Sequence, residues 1–350
     1  GPTAVTAYSG YTLPTASSAL TFTVSGSDTF DPDTTGSYTV EYIHTTSTGL
    51  VKKVTRVFVV EYPVFSQTFV YTGDIQTFTV PENVTSIKVH CWGAAGGNSG
   101  YPGGAGGYAE GKISVTPYET LYIAVGRGGQ SLTSNGGGGG GMSGVLSVWN
   151  VNNIATTHAG SIIIAGAGGG GGDLVSAGGC GGGEIGGTTD SEQNPGNSTD
   201  SNAGPGAAES DTSAATNPTG GSYFRGGNSA GNYFETDSAW PNNAWGGSWS
   251  RAKGTGGSQG GGGGGGHYGA SGAGHNAIYG NGRGAAGGSG YIGGDGTHAV
   301  TDGRNLISSQ TTNSLTPPNT SSKYYIDGIG KSSASVYTSG GNGLVVIEYN

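Results

Sequence analysis

Runs of glycine constrain this chain more than any other feature of its sequence. Glycine supplies 77 of the 350 residues and is concentrated in tracts such as residues 136–141, 168–172 and 260–266. A glycine tract has no side chain to bury, and hydrophobic residues make up only 33% of the chain, so one large apolar core cannot order all of it. In isolation such tracts behave as flexible linkers.

Packing of the tracts against one another offers a second way to order them. An extended left-handed helix has three residues per turn, a rise of about 3.1 Å and no internal hydrogen bonds, so its N–H and C=O groups all point outward. Side-chain-free helices of this kind can lie side by side and satisfy each other's backbone groups. We therefore expect a polyglycine bundle, with structural glycines at Gly136, Gly141, Gly168, Gly172, Gly261 and Gly266.

Apolar segments with strand-like alternation separate the glycine tracts. Turn residues such as Pro81 and Pro117 lie between them. The segments are residues 76–81, 85–92, 111–115, 121–125, 161–165 and 343–349. This pattern predicts an antiparallel β-sandwich within residues 63–350, with the polyglycine bundle inserted between its strands.

Residues 1–62 read as a separate small β unit. Alternating segments at residues 21–24, 37–42 and 54–60 are divided by turn signals that include Asp31-Pro-Asp and Gly49. The stretch from Gly36-Ser-Tyr-Thr-Val to Val54-Thr-Arg-Val-Phe-Val-Val resembles the Ig-like repeats of microbial surface proteins. That resemblance implies an Ig-like β-sandwich that acts as a stalk or spacer.

Charge and hydropathy exclude several classes of partner. The chain has 13 Lys and Arg against 22 Asp and Glu, a net charge of −9, and its cationic residues are scattered. A phosphate-binding surface needs clustered cations, so we expect no nucleic-acid partner. No apolar run approaches the roughly 18 residues of a membrane-spanning helix, so we expect no membrane insertion.

Residues that carry chemistry do not form a convincing site. Ser258 lies in a Gly-x-Ser-x-Gly pattern, but that nucleophile motif needs a strand before it and a helix after it, and both flanks are glycine-rich. None of the six histidines has the spacing of a metal ligand set. We expect no catalytic residue, metal or cofactor, and a protein that is not an enzyme. Whether Cys91 and Cys180 pair is left open by the sequence.

Residues 184–253 form a long polar excursion with two different halves. The first half carries only acidic charges, whereas the second is rich in aromatic residues, Asn, Ser and Gly. Rigid aromatic rings in such a mixture are typical of recognition loops. The candidate binding residues are Tyr233, Trp240, Trp245 and Trp249. The alternative is that these rings form a local core that caps the bundle.

The order of the non-glycine residues resembles a known family. Phe78-Thr-Val-Pro-Glu-Asn-Val, Trp92-Gly-Ala-Ala-Gly-Gly and Gly343-Leu-Val-Val-Ile-Glu-Tyr are similar to the glycine-rich domain family of phage and giant-virus surface proteins. They also resemble the extracellular glycine-rich domain of anaplastic lymphoma kinase and leukocyte tyrosine kinase. The resemblance implies a β-sandwich interrupted by packed polyglycine helices. Receptor members bind protein ligands through this region, and certain phage adhesins bind the host surface through tip loops.

Together these features predict an all-β protein: an N-terminal Ig-like β-sandwich, then a β-sandwich with an inserted bundle of packed polyglycine (PGII) helices. The expected function is an attachment or recognition module that is extracellular or on a virion surface. Its expected partner is a host-surface glycan or protein, and the chain would self-associate or join a larger fibre. The alternatives are a structural fibre or coat component and a secreted receptor-like domain that binds a protein ligand.

Overall fold

The computed structural model describes residues 20–24, 36–45, 49, 51–61, 63–131, 136–173, 176–189, 223–224, 226, 260–270, 272–273, 275–276 and 281–350. The chain divides into two compact units. The first comprises Gly1–Phe65 with Asn350, and the second comprises Ser66–Tyr349.

The first unit contains a three-stranded antiparallel sheet. Its strands are β1 (Leu20–Val24), β2 (Gly36–Thr45) and β3 (Val51–Val60), in the order β1-β2-β3. The ladder between β2 and β3 is regular over ten residue pairs, and Gly49 has a φ of +82° in the connection between them. An Ig-like sandwich needs a second sheet, so that expectation stays a prediction for this unit.

The second unit contains two larger antiparallel sheets. The five-stranded sheet has the order β13-β7-β6-β14-β4, and the four-stranded sheet has the order β10-β9-β8-β5. Their strands are β4 (Phe65–Val70), β5 (Gln76–Thr79), β6 (Ser86–Trp92), β7 (Tyr108–Ser114), β8 (Thr120–Ala124), β9 (Ser143–Leu146), β10 (Ser161–Ala165), β13 (Val300–Leu306) and β14 (Leu344–Tyr349). A short hairpin pairs β11 (His275–Asn276) with β12 (Asn281–Gly282).

The two larger sheets face each other across one hydrophobic core. Ile87, Val89 and Cys91 of β6 enter this core at alternate positions, as a half-buried strand requires, while Lys88 between them is exposed. The opposite sheet contributes Leu121, Ile123, Val145 and Ile163. The predicted all-β class is confirmed, since the described residues hold strands and one short helix, α1 (Ile154–Ala159), which Asn153 caps.

Neither cysteine is in a disulfide bond. Cys91 is buried in the core between the sheets, and Cys180 is buried in the glycine-rich part of the chain. Burial raises the pKa of both thiols, which keeps them protonated. In the part of the chain that the structure describes, no helix is long and apolar enough to cross a membrane.

The glycine segments leave both sheets at the same end. Trp92 at the end of β6 pairs with Tyr108 at the start of β7 and with Leu344 at the start of β14. In the other sheet, the end of β8 and the end of β10 lie beside the start of β9. Because the strands are antiparallel, these ends lie on one side of each sheet, and the Gly343 amide joins the two sheets there by donating to Gly126 at 2.9 Å. We call the segments that extend from it the glycine region: residues 93–107, 125–130, 136–142, 166–172, 176–189, 260–270, 272–273 and 283–290.

Backbone amides of the glycine region bond in a repeat of three residues. Gly168 donates to the carbonyl of Ala94 at 3.0 Å, and Gly171 donates to that of Gly97 at 3.0 Å. The amides between them turn to other segments, Gly169 to Gly179 and Gly170 to Gly262. The same spacing recurs in other pairs of donors and acceptors: Ala94 to Gly141 and Gly97 to Gly138, Gly104 to Gly169 and Gly107 to Gly166, Gly262 to Gly137 and Gly265 to Gly140. Each segment therefore bonds to several neighbours.

Close approach of the backbones leaves no room for side chains at many of these glycines. A Cβ atom added at Gly170 would come closer than 3.0 Å to the carbonyl oxygen of Gly137, and one at Gly139 would do the same at Gly263. Real Cβ atoms essentially never make contacts that short, so these positions accept only glycine unless the neighbouring backbone moves. At these glycines the region excludes side chains, and its buried backbone is satisfied through neighbouring segments.

Candidate functional site

The end of the glycine region farthest from the sheets, called the outer end, is formed by turns. Segment 166–172 runs outward from β10, and Gly172 donates to Ser176 across a turn at 3.0 Å. A second turn is closed where Gly138 donates to Gln130 at 2.8 Å. The β11–β12 hairpin connects Ala273 to Arg283. The Ala273 amide donates to the Gly261 carbonyl, and the Gly261 amide donates to the Arg283 carbonyl, so this hairpin also lies at the outer end.

The described residues that flank the long excursion lie partly at this outer end. Thr189, the last described residue before residues 190–222, donates its hydroxyl to Ala177, beside the turn at Ser176. Gly226 lies against Gly263, in the middle of the tract 260–266, whereas Gly260, which follows residues 227–259 along the chain, is next to Gly261 at the outer end. Two of the four flanks of these segments, Thr189 and Gly260, are therefore at the outer end.

The flank at Tyr223 is fixed near the sheets by a column of stacked rings. Tyr223 stacks on His158 with centroids 4.1 Å apart, and His158 stacks on His267 at 4.0 Å. His267 in turn stacks on Tyr291 at 4.0 Å, with planes 7° apart. Phe224 is buried beside the column in a cluster with Met142, Leu146 and Ile164. Residues 223–224 thus anchor the middle of the excursion.

The imidazole of His158 is neutral within this column. His158 Nε2 lies 3.1 Å from the carbonyl oxygen of His267, so Nε2 carries the proton in this bond. Burial lowers the pKa of His158 from 6.5 to about 4, and the hydrogen bond to the His267 carbonyl only partly opposes this shift. His158 is therefore neutral at physiological pH and serves as a packing group rather than a charge.

A second polar cluster lies on the outer face of the five-stranded sheet and is centred on His90. Its Nδ1 lies 2.7 Å from Tyr108 Oη, and its Nε2 lies 2.6 Å from Glu348 Oε1. Tyr108 donates to Glu110 at 2.7 Å, and Tyr324 donates to the other oxygen of Glu348. The cluster ties residues 307–343, which include Tyr324, to the sheet.

Hydrogen bonds keep both carboxylates of the His90 cluster ionised. Burial would raise the pKa of Glu110, but hydrogen bonds from Tyr108 and Arg304 outweigh it and lower that pKa. Glu348 behaves likewise, because hydrogen bonds from Tyr324 and His90 lower its pKa against the effect of burial. Every polar atom named in the cluster has a protein partner, so its geometry fits a structural tie.

A third cluster closes the opposite end of the sheets, around His298. Its Nδ1 lies 2.9 Å from Asp295 Oδ2, and its Nε2 lies 3.2 Å from Glu119 Oε2. Burial would lower the pKa of His298, but its hydrogen bonds to Asp295 and Glu119 outweigh burial and raise it. Among the described residues, no group of three or more His, Cys, Asp or Glu side chains could hold a metal ion.

The residues predicted from sequence fall into two groups. The six structural glycines are all buried in the glycine region: Gly136, Gly141, Gly168, Gly172, Gly261 and Gly266. The four candidate binding residues lie outside the described residues: Tyr233, Trp240, Trp245 and Trp249. Sequence reasoning missed the three clusters around His158, His90 and His298, because each joins residues that are far apart along the chain, as His298 and Glu119 are.

Comparison with known proteins supports the glycine-rich assignment for part of the chain. Residues 70–161 match a family described as a glycine-rich domain. The matched segment runs from the end of β4 through β9 and α1 to the first residue of β10, and it includes the glycine segments 93–107 and 136–142. No curated protein matches the chain.

Proposed function

We propose that the glycine region is a bundle of packed polyglycine helices that supports a recognition surface. A polyglycine helix has three residues per turn and no internal hydrogen bonds, so residues three apart face the same neighbour. That repeat is seen where Gly168 and Gly171 donate to one adjacent segment. The neighbours run both ways, since residues 93–97 lie parallel to residues 168–171 and antiparallel to residues 138–141.

The function we propose is attachment, by an extracellular or virion-surface module, to a glycan or protein of a host surface. The observation that carries it is the position of Thr189 and Gly260 at the outer end, since these residues flank residues 190–222 and 227–259 along the chain. A backbone lattice offers little side-chain identity, so specificity must come from segments that leave it. A rigid support also lowers the ordering cost of binding.

The N-terminal unit has a separate role in this proposal. We assign it as an Ig-like spacer that holds the second unit away from the particle or cell that carries it. Its ten-residue β2–β3 ladder and the strand-turn pattern around Gly49 support this assignment. A spacer of this kind needs no binding residue of its own. Removal of the first unit should therefore weaken binding by the second unit only where the length of the spacer limits contact with the host surface.

Replacement of two tryptophans tests the attachment function. Trp240 and Trp245 are changed together to Ala, and a matched variant changes both to Phe, which keeps aromatic contact area. We expect the Ala variant to lose binding to whole host cells, the Phe variant to retain most of it, and both to keep the wild-type melting temperature, because interface hot spots are enriched in Trp.

Two other outcomes would contradict the proposal. If these tryptophans form a local core, the Ala variant should lose roughly 3–5 kcal/mol of stability for each replacement. If the protein is a structural fibre component, no host cell should bind the wild type at all, whereas a regularly repeating filament should be observed.

A further inference from the structure

Two short loops form a surface at the outer end of the glycine region. Residues 98–102 and 332–339 lie side by side, because Asn98 donates its amide N–H to Thr338 at 2.9 Å and Tyr337 donates to Ser99 at 3.3 Å. The surface exposes Tyr101 (39%), Val336 (53%) and Tyr337 (46%). Single exposed apolar residues are common on proteins, but these three lie on two adjoining loops. Ser99 links them, since its amide donates to the Tyr101 carbonyl at 3.0 Å and its carbonyl accepts from the Tyr337 amide.

Asn98 holds the two loops in one arrangement. The residue is buried, with only 1% of its surface exposed. Its Nδ2 donates to the carbonyls of Ser333 at 2.6 Å and Ser335 at 2.7 Å. Its Oδ1 accepts from the Gly103 amide at 2.9 Å and the Ser332 hydroxyl at 2.9 Å. All four hydrogen-bonding positions of the amide are therefore used, and the loops are fixed before any ligand arrives.

Tyr337 is held in a backbone conformation that tyrosine rarely adopts. Its φ is +56°, in the left-handed region where glycine is favoured and a bulky residue is strained. The ring itself is largely exposed and contributes little burial in return. The turn at residues 336–337 therefore presents this ring to solvent beside the loop that carries Tyr101.

The chemistry of the surface indicates what it would bind. Residues 98–102 and 332–339 contain Asn, Ser, Thr, Gly, Pro, Ala, Val and Tyr but no charged residue. The adjacent Lys331 is paired with Asp327, and Asp173 lies beside Gly100 at the edge. A surface without available cations does not attract an anionic polymer. Exposed rings can pack against the C–H faces of pyranose sugars, while neighbouring hydroxyls bond to sugar hydroxyls.

We propose that Tyr101, Val336 and Tyr337 form a binding site for a neutral carbohydrate. The proposal rests on the attachment function above and names its partner class. Binding depends on the two tyrosine rings, and the Asn98 amide acts as a positioning group beneath them.

The test uses the full chain and a panel of immobilised neutral oligosaccharides built from glucose, mannose, galactose, N-acetylglucosamine and rhamnose, with alginate and hyaluronan as anionic comparisons. The variant combines Tyr101→Ser with Tyr337→Gly, since glycine accepts the positive φ without strain. We expect wild type to bind a neutral oligosaccharide and the double variant to bind it at least about tenfold more weakly.

Tyr118→Gly is the matched control. Tyr118 is also an exposed tyrosine at positive φ, with 65% exposure and a φ of +69°, but it lies in the turn between β7 and β8 at the opposite end of the sheets. We expect this control to bind as wild type does, and all variants to keep the wild-type melting temperature.

Three results would overturn the proposal. The wild-type protein could bind none of the neutral oligosaccharides, it could bind alginate and hyaluronan equally well, or the double tyrosine variant could bind as wild type does. Host-cell binding separates it from the attachment function. If the tyrosine variant binds cells as wild type does while the Trp240 and Trp245 variant does not, the carbohydrate site is wrong and attachment stands. If neither variant changes cell binding, both proposals fail.

Discussion

The imidazole rings of His158 and His267 stack with their centroids 4.0 Å apart and their planes 26° apart. Two charged rings would repel each other at this distance, and burial already favours neutral His158. The stack therefore makes the anchor at residues 223–224 sensitive to acid.

Stability should fall as the pH is lowered from about 6.5 to about 4 because of His158. Its pKa is depressed from 6.5 to about 4 in the folded protein, so over this range the unfolded chain binds a proton that the folded chain refuses. Denaturant unfolding at pH 7 and pH 5 measures the loss. His158→Phe keeps a ring in the stack and cannot titrate, so its stability should change less between these pH values. An equal change in both proteins would argue against the neutral stack.

His298 should give a pH dependence of the opposite sign. Its pKa is raised by hydrogen bonds to Asp295 and Glu119 despite burial, so its contribution is fully present below 6.5 and is lost as pH rises through the raised pKa. His298→Gln should therefore be destabilised relative to wild type at pH 6, with the gap narrowing by pH 9. A constant difference in stability between wild type and variant from pH 6 to pH 9 would show that the charge of His298 does not stabilise its contacts with Asp295 and Glu119.

Adjacent glycines in one segment should differ sharply in their tolerance of alanine. A Cβ at Gly139 would come closer than 3.0 Å to the carbonyl of Gly263, whereas one at Gly138 would be no closer than 3.2 Å to any heavy atom. Gly139→Ala should cost about 1–3 kcal/mol or more, as overpacking does in tight cores. Gly138→Ala should stay within about 1 kcal/mol of wild type. Equal and negligible effects on thermal unfolding would mean that residues 136–141 are not packed.

Local sequence pattern predicted the strands of the sheets better than it predicted their connections. Alternation found β6, β8, β10 and β14, because each buries alternate or successive apolar residues between the sheets. It missed β13, whose residues are mostly exposed, and β9, which is a short buried strand of Ser-Gly-Val-Leu. Neither strand shows the alternation of apolar and polar residues from which a strand is predicted.

Long-range polar clusters were beyond the reach of sequence pattern. His90 and Glu348 are 258 positions apart and meet because β6 pairs with β14. Asn98 in a glycine-rich stretch gives no local sign that it will bind the carbonyls of Ser333 and Ser335. Such contacts depend on the register of the sheets and on how the glycine segments pass one another.

Hydrogen exchange at the amides of residues 168–171 tests the central claim most directly. If the glycine region is a lattice bonded through its backbone, these amides donate to fixed carbonyls and should exchange as slowly as those of β6, through opening of the whole unit. Mass spectrometry of a peptide that covers residues 166–172 would show this protection without any mutation. Exchange of that peptide at the rate of an unstructured chain would contradict the account.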